Sequence, residues 1–192
     1  MEQAQQQVRR LRHDMANHLD VMAGLDDAKM REYLDQLRTS PAMTTGKLYC
    51  ENRVVNAVIT SKKSLIDENG IDAKIELILP NDLPLTDIEL CALYANCLDN
   101  AIEANLKLPA GQKALSLRSY ADKGLLALEL ENNMSGKLKT RGGVIVTSKA
   151  DAKNHGLGLV GIREIVQKYD GRMEVTHTDT VFGMTISIPL AM

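Results

Sequence analysis

Tryptophan is missing from these 192 residues, phenylalanine occurs once, and aromatic residues together make up 3%. So little aromatic surface excludes a platform for stacking bases or sugars, and leaves the core to Leu, Ile, Val, Met and Ala. Charge of one sign is missing too. The 23 Lys+Arg against 25 Asp+Glu leave a net charge of −2, without the basic excess of a nucleic-acid binder. Cysteine is scarce: Cys50, Cys91 and Cys97 are an odd number without CxxC spacing. That argues against a disulfide framework or a zinc site and for a reducing cytosol. Four scattered histidines form no ligand cluster. No apolar run approaches the ~18–20 residues of a membrane span, and no signal peptide opens the chain. What is present is ordinary for a globular protein, 44% apolar and 25% charged. The length suits one domain with a small appendage.

The appendage comes first. Val8, Leu11, Met15, His18/Leu19 and Met22 follow 3–4 spacing, which puts His18 in the seam. Met30, Tyr33, Leu34 and Leu37 follow it too, with Gly24 between the two sets. Two short helices cannot bury such seams alone, so residues 1–42 are expected to form a helical hairpin that dimerises into a four-helix bundle. After a linker ending at Gly46, residues 47–192 have a different texture. The pattern predicts a helix over 51–69, a strand over 71–79, and a long helix opened by Thr86 and Asp87 and running to about 108. A hairpin of 114–120 with 125–131 follows, then a mobile loop over 133–155. A helix over 158–169 and a last hairpin of 172–177 with 183–189 complete the chain. Strands interleaved with helices spell α+β, one sheet with helices on one face.

Three constellations carry chemistry. In Arg12-His13-Asp14-Met15-Ala16-Asn17-His18, the seam positions put His13 on the outer side of its helix with Asp14 beside it and Asn17 one turn on. An exposed imidazole with a neighbouring carboxylate is a nucleophile with an orienting group. In Asn96-Cys97-Leu98-Asp99-Asn100 the two amides share one helix face, and amide oxygens are hard, neutral ligands suited to Mg²⁺ that carries a polyphosphate. In His155-Gly156-Leu157-Gly158-Leu159 two glycines precede an apolar helix and expose N–H groups that can cradle phosphate. Neither a Rossmann nor a P-loop pattern fits. Each motif alone has an ordinary structural explanation. Their order along the chain is more specific.

That order resembles a sensor histidine kinase, and most closely the peptide- or quorum-sensing type with a short phosphoacceptor hairpin. Tyr49-Cys50-Glu51-Asn52, with Asn56 and Lys62 behind it, and the closing 182–189 segment add to the likeness. The resemblance implies a dimeric four-helix bundle followed by a two-layer α/β sandwich with a mixed, mainly antiparallel sheet, the Bergerat ATP-binding fold. It implies ATP and Mg²⁺ as cofactors, autophosphorylation of His13, and transfer to an Asp on a response-regulator receiver domain. His13 matches the phosphoacceptor, Asp14 the general base and Asn17 the polar position used in dephosphorylating the partner. Asn96 and Asn100 match the metal-binding N box, Asn132 the position bonding the adenine amino group, Gly156 and Gly158 the G2 box. Lys149 matches a phosphate contact and Thr185 a polar contact near adenine. The G1 pattern Asp-x-Gly-x-Gly stands here as Asn132-Asn133-Met134-Ser135-Gly136, and no aromatic F box is visible. The resemblance further implies a homodimer, no nucleic acid, and a cytoplasmic portion whose membrane attachment lies in a sensor region outside this chain. A phosphorelay phosphotransferase, or a nucleotide-binding scaffold with little kinase activity, is the alternative.

Overall fold

Two polar side chains open two of the helices in the computed structural model, which describes residues 48–136, 139–141, 144–146 and 156–190. Asn52 caps α1 (Arg53–Glu68), its Oδ1 accepting the Val55 N–H at 3.0 Å. The same residue donates from Nδ2 to the Asn81 carbonyl at 2.9 Å and from its backbone N–H to the Leu79 carbonyl at 3.3 Å. One side chain thus closes the first turn of α1 and ties it to the exit of β1 (Asp72–Ile78). Thr86 begins α2 (Asp87–Leu106) with a reciprocal cap. The Glu89 N–H donates to Thr86 Oγ1 at 3.3 Å, and the Thr86 N–H donates to Glu89 Oε2 at 2.9 Å.

β2 (Ala114–Asp122) and β3 (Leu125–Asn133) meet at Lys123-Gly124, whose φ angles of 48° and 78° are both positive. A two-residue hairpin that follows the strand twist needs that geometry. After α3 (Gly156–Lys168) come β6 (Arg172–His177) and β7 (Val181–Pro189). The five strands lie in the order β1-β2-β3-β7-β6. β1 runs parallel to β2, because α2 carries the chain back between them, and the other neighbours are antiparallel. The sheet is therefore mixed and mainly antiparallel, as expected. Among the described residues, α1, α2 and α3 pack on one face of the sheet, α2 between α1 and α3. The other face carries Glu76, Arg118 and Glu129 side by side.

One expectation needs correction. The segment read as a loop over 133–155 contains a separate ribbon, β4 (Lys139–Arg141) antiparallel to β5 (Val144–Val146), and β3 itself extends through Asn133. Three-residue strands are too short for a period of two to register in a sequence. The hairpin expected over 1–42, with its dimer seam and with His13, Asp14 and Asn17, lies outside the described residues, as does Lys149.

The core joins the buried stripe of α2 (Leu90, Leu93, Tyr94, Cys97, Leu98, Ala101, Ile102) to Leu117 of β2, Leu126, Leu128 and Leu130 of β3, and Ile186 and Ile188 of β7. Burying one such Leu or Ile contributes about 1.5–3 kcal/mol. Two polar contacts then set the lengthwise register. Tyr94 Oη lies 2.7 Å from Ser119 Oγ, which donates to the Ala127 carbonyl at 2.7 Å. Burial pushes the Tyr94 phenol well above its ordinary range, so it remains a donor. Further along, Asn105 Oδ1 accepts the Ala114 N–H at 2.8 Å while its Nδ2 donates to the Ala101 carbonyl at 2.8 Å. From Tyr94 to Asn105 the helix rises about 16 Å, and from Ser119 back to Ala114 the strand covers about the same. α2 therefore runs antiparallel to β2 and in step with it.

Candidate functional site

With its apolar stripe on the sheet, α2 presents a second flank to the start of α3. Asn96 and Asn100 lie there, one turn apart and half-buried. A Cβ built on Gly158 would sit 3.5 Å from Asn96 Oδ1, 3.5 Å from Asn100 Oδ1 and 3.6 Å from Asn100 Nδ2. On Gly161 it would sit 3.8 Å from Asn96 Nδ2. Both amide oxygens thus converge on the space that the absent Gly158 side chain leaves. Asn100 Nδ2 is buried and has no hydrogen-bond partner among the described residues. Such a donor costs about 1–3 kcal/mol if nothing meets it, and it calls for a ligand, an ion or a water as its acceptor.

Gly156 begins α3, so the first backbone N–H groups of this helix have no partner within it and sit at the positive end of its dipole. Two hard amide oxygens, an unused amide NH₂ and a helix N-terminus suit a polyphosphate carrying a hard divalent cation. Among the described residues no three His, Cys, Asp or Glu side chains cluster to hold a metal. A cation here would draw its negative ligands from phosphate oxygens. The residues present fit Mg²⁺-nucleotide.

Asn132, next to last in β3, lies on the face turned to the helices, 3% exposed. Its register partners are Leu115 of β2 and Phe182 of β7. Because α2 keeps step with β2, Asn100 and Asn132 come to the same end of the sheet. Asn132 Nδ2 donates to the Asn133 carbonyl at 2.9 Å. That bond commits an amide N–H and turns Oδ1 into the acceptor end, the polarity needed to receive an exocyclic amino group.

Thr185 is not brought to this place. It is exposed on the opposite face of the sheet, paired in register with Glu129 and Glu174. A contact between Thr185 and a base held under the helices would have to pass through the sheet. The residue that flanks Asn132 on the inner face of β7 is Phe182.

Two groupings escaped the reading of the sequence. Lys62 of α1 falls on the buried stripe of that helix and ion-pairs with Asp99 of α2 at 2.5 Å. A lysine at an apolar-stripe position was the available signal. At the other end of α2, Glu89 receives Lys168 Nζ at 2.6 Å and the Tyr169 hydroxyl at 2.7 Å, which anchors the C-terminal end of α3. Burial pushes the Glu89 carboxyl up, but the bonds from Lys168, Tyr169 and Thr86 outweigh it and hold the group at about 2.

The GHKL domain family matches residues 85–189. No curated protein matches the chain. Among solved structures, the catalytic domain of histidine kinase ThkA is similar with a TM-score of 0.53 at 17% identity, over 72% of this chain and 91% of that one. The histidine kinase AdeS of Acinetobacter baumannii gives 0.52 at 19%, over 95% and 85%. The mycobacterial sensor histidine kinase MprB gives 0.51 at 18%, over 71% and 93%. At these identities the likeness is one of fold.

Proposed function

This chain belongs to the GHKL domain family, and from that membership we propose that it is the cytoplasmic kinase portion of a two-component sensor histidine kinase of the peptide-sensing type. Its reaction would be ATP-dependent phosphorylation of His13, followed by transfer to an Asp of a response-regulator receiver domain. The observation that carries this reading is the buried, unpartnered Asn100 Nδ2 facing Gly158 at the start of a helix. Asn100 and Asn96 would hold Mg²⁺ through their amide oxygens. The first turn of α3, from Gly156 to Gly158, and Lys149 would hold phosphate, and Asn132 Oδ1 would accept from the adenine amino group. Bound Mg²⁺-ATP supplies the phosphoryl group and the cation that offsets its charge.

This chain's own residues do the rest. His13 would present one ring nitrogen as the nucleophile, with Asp14 orienting the ring and holding the proton at the other nitrogen. Asn17, one turn along, would orient a water that hydrolyses the partner's phosphoaspartate and releases inorganic phosphate. Residues 1–42 would pair two copies into a homodimer, and an upstream sensor region would supply the membrane attachment. The neutral Asn132 in place of a carboxylate lends support to a second reading, a phosphotransferase or scaffold that binds nucleotide weakly and phosphorylates little. Incubation of the full chain with γ-labelled ATP and Mg²⁺ separates the two. Acid-labile label that is lost in His13→Gln and kept in His18→Gln supports the kinase. Absence of label from a nucleotide-bound protein supports the second reading, and label retained in His13→Gln overturns the choice of phosphoacceptor.

A further inference from the structure

Lys62 is 2% exposed and shares the inner stripe of α1 with Val55, Val58, Ile59 and Ile66. Its ammonium meets Asp99 Oδ1 at 2.5 Å, yet the Asp99 side chain is 43% exposed. Burying an ammonium is costly, and its pairing with a half-exposed carboxylate is weak evidence for a stabilising role. An apolar side chain of similar volume would serve stability at least as well. Stability alone is therefore a weak reason for a lysine here.

The pair does supply direction. Apolar contact between α2 and the sheet is non-directional; the Tyr94 and Asn105 hydrogen bonds tie the inner side of α2 to β2, and Lys62–Asp99 adds a tether on the side facing α1. Asp99 stands on the α1 side of α2, about 100° round the helix from its neighbour Asn100. Two turns earlier on the same flank, burial pushes the Cys91 thiol up and the Lys62 ammonium acts against it, so the lysine head lies between α1 and this flank. A roll of about 10–20° carries a side-chain group roughly 5 Å from the axis through about 1–2 Å. A working site tolerates about 0.5 Å.

We propose that Lys62 is a positioning residue for Mg²⁺-dependent nucleotide binding, its ion pair with Asp99 fixing the rotation of α2 that aims Asn96 and Asn100 at Gly158. This inference rests on the assignment of that site to Mg²⁺-ATP. It is tested with the full chain, wild type against Lys62→Met and Asp99→Asn, by calorimetric titration with ATP in Mg²⁺ and with ATP in EDTA. Thermal unfolding of each variant checks the fold. Both variants are expected to melt cooperatively, to lose about tenfold in affinity for Mg²⁺-ATP, and to keep metal-free ATP affinity within about twofold. Lys62→Arg, which retains the cation, should recover most of the loss. If Lys62→Met does not fold, Asp99→Asn decides by the same criterion, since it is nearly isosteric and its side chain is half-exposed. Mg²⁺-ATP affinity unchanged in the folded variants, or an equal fall with and without Mg²⁺, overturns the proposal. A wild type that gains no affinity from Mg²⁺ overturns the site assignment and the proposal with it.

Discussion

Replacing Gly158 by alanine should move stability and binding in opposite directions. Gly158 lies within α3, at a φ that any L residue adopts, and its new methyl would meet the nearest atoms at 3.5 Å, an ordinary contact. Nothing in the apo protein has to shift. Alanine in place of glycine in a helix gains roughly 0.5–1 kcal/mol, less near the ends. In a chain of this length that raises Tm by about 1–4 °C. The atoms at 3.5 Å are Asn96 Oδ1 and Asn100 Oδ1, so the methyl takes the space where a cation or phosphate oxygen would approach both amides. Displacing even one good charge-assisted contact, about 1.5–3 kcal/mol, weakens Mg²⁺-ATP binding by roughly ten- to a hundred-fold. Differential scanning calorimetry of the apo proteins and titration calorimetry with Mg²⁺-ATP read the two quantities separately. A Gly158→Ala protein that is more stable and binds Mg²⁺-ATP as the wild type does would refute the reasoning. A lowered Tm would show that the contact at this position is tighter than 3.5 Å implies.

Glu89, held at about 2 against an ordinary value of 4.5, contributes stability that is complete above pH 4.5 and is lost as pH falls through about 2. A shift of this size corresponds to about 3 kcal/mol at most, and water at its rim reduces that to roughly 1–2 kcal/mol. Glu89→Gln should therefore melt lower at pH 7 and converge with the wild type below pH 2, as followed by denaturant titration across that range. Asn132→Asp removes the donor to the Asn133 carbonyl and sets a carboxylate against it in a buried position. The apo protein should lose about 1–3 kcal/mol yet still prefer ATP to GTP in competition binding, since the acceptor end is kept. Thr185→Ala, on the far face of the sheet, should leave nucleotide affinity within about twofold of the wild type, and a larger loss would contradict its placement. Leu98→Ala, in the core between α2 and the sheet, should cost about 2–5 kcal/mol in urea unfolding.

Those residues also show what the sequence made legible. α2 was readable because its 3.6 period, its Thr86 cap and its Asn96–Asn100 spacing all point to one helix with two working flanks. The β2–β3 turn was readable because Lys123-Gly124 names its own backbone geometry. The wrong placement of Thr185 came from matching a motif in place of reading the alternation. In Met184-Thr185-Ile186-Ser187-Ile188 the apolar residues alternate with the polar ones, which already turns Thr185 away from the core. The burial of Lys62, and so its need of a partner such as Asp99, was open to the same kind of attention, since it is a charge on an apolar stripe. The β4–β5 ribbon could not, since three-residue strands carry too little pattern. Nor could the convergence of Gly158 on the two amides, which depends on how α3 crosses α2.

The central claim, that Asn100 awaits Mg²⁺-nucleotide above Gly158, is tested most directly at the side-chain amide itself. In a ¹⁵N-labelled full chain, the Asn100 Nδ2 resonance should shift and its hydrogen exchange should slow when Mg²⁺-ATP is added. The amide of Asn105, already bonded to the Ala101 carbonyl, should barely change. An Asn100 amide that stays where it was while Mg²⁺-ATP demonstrably binds would contradict the account.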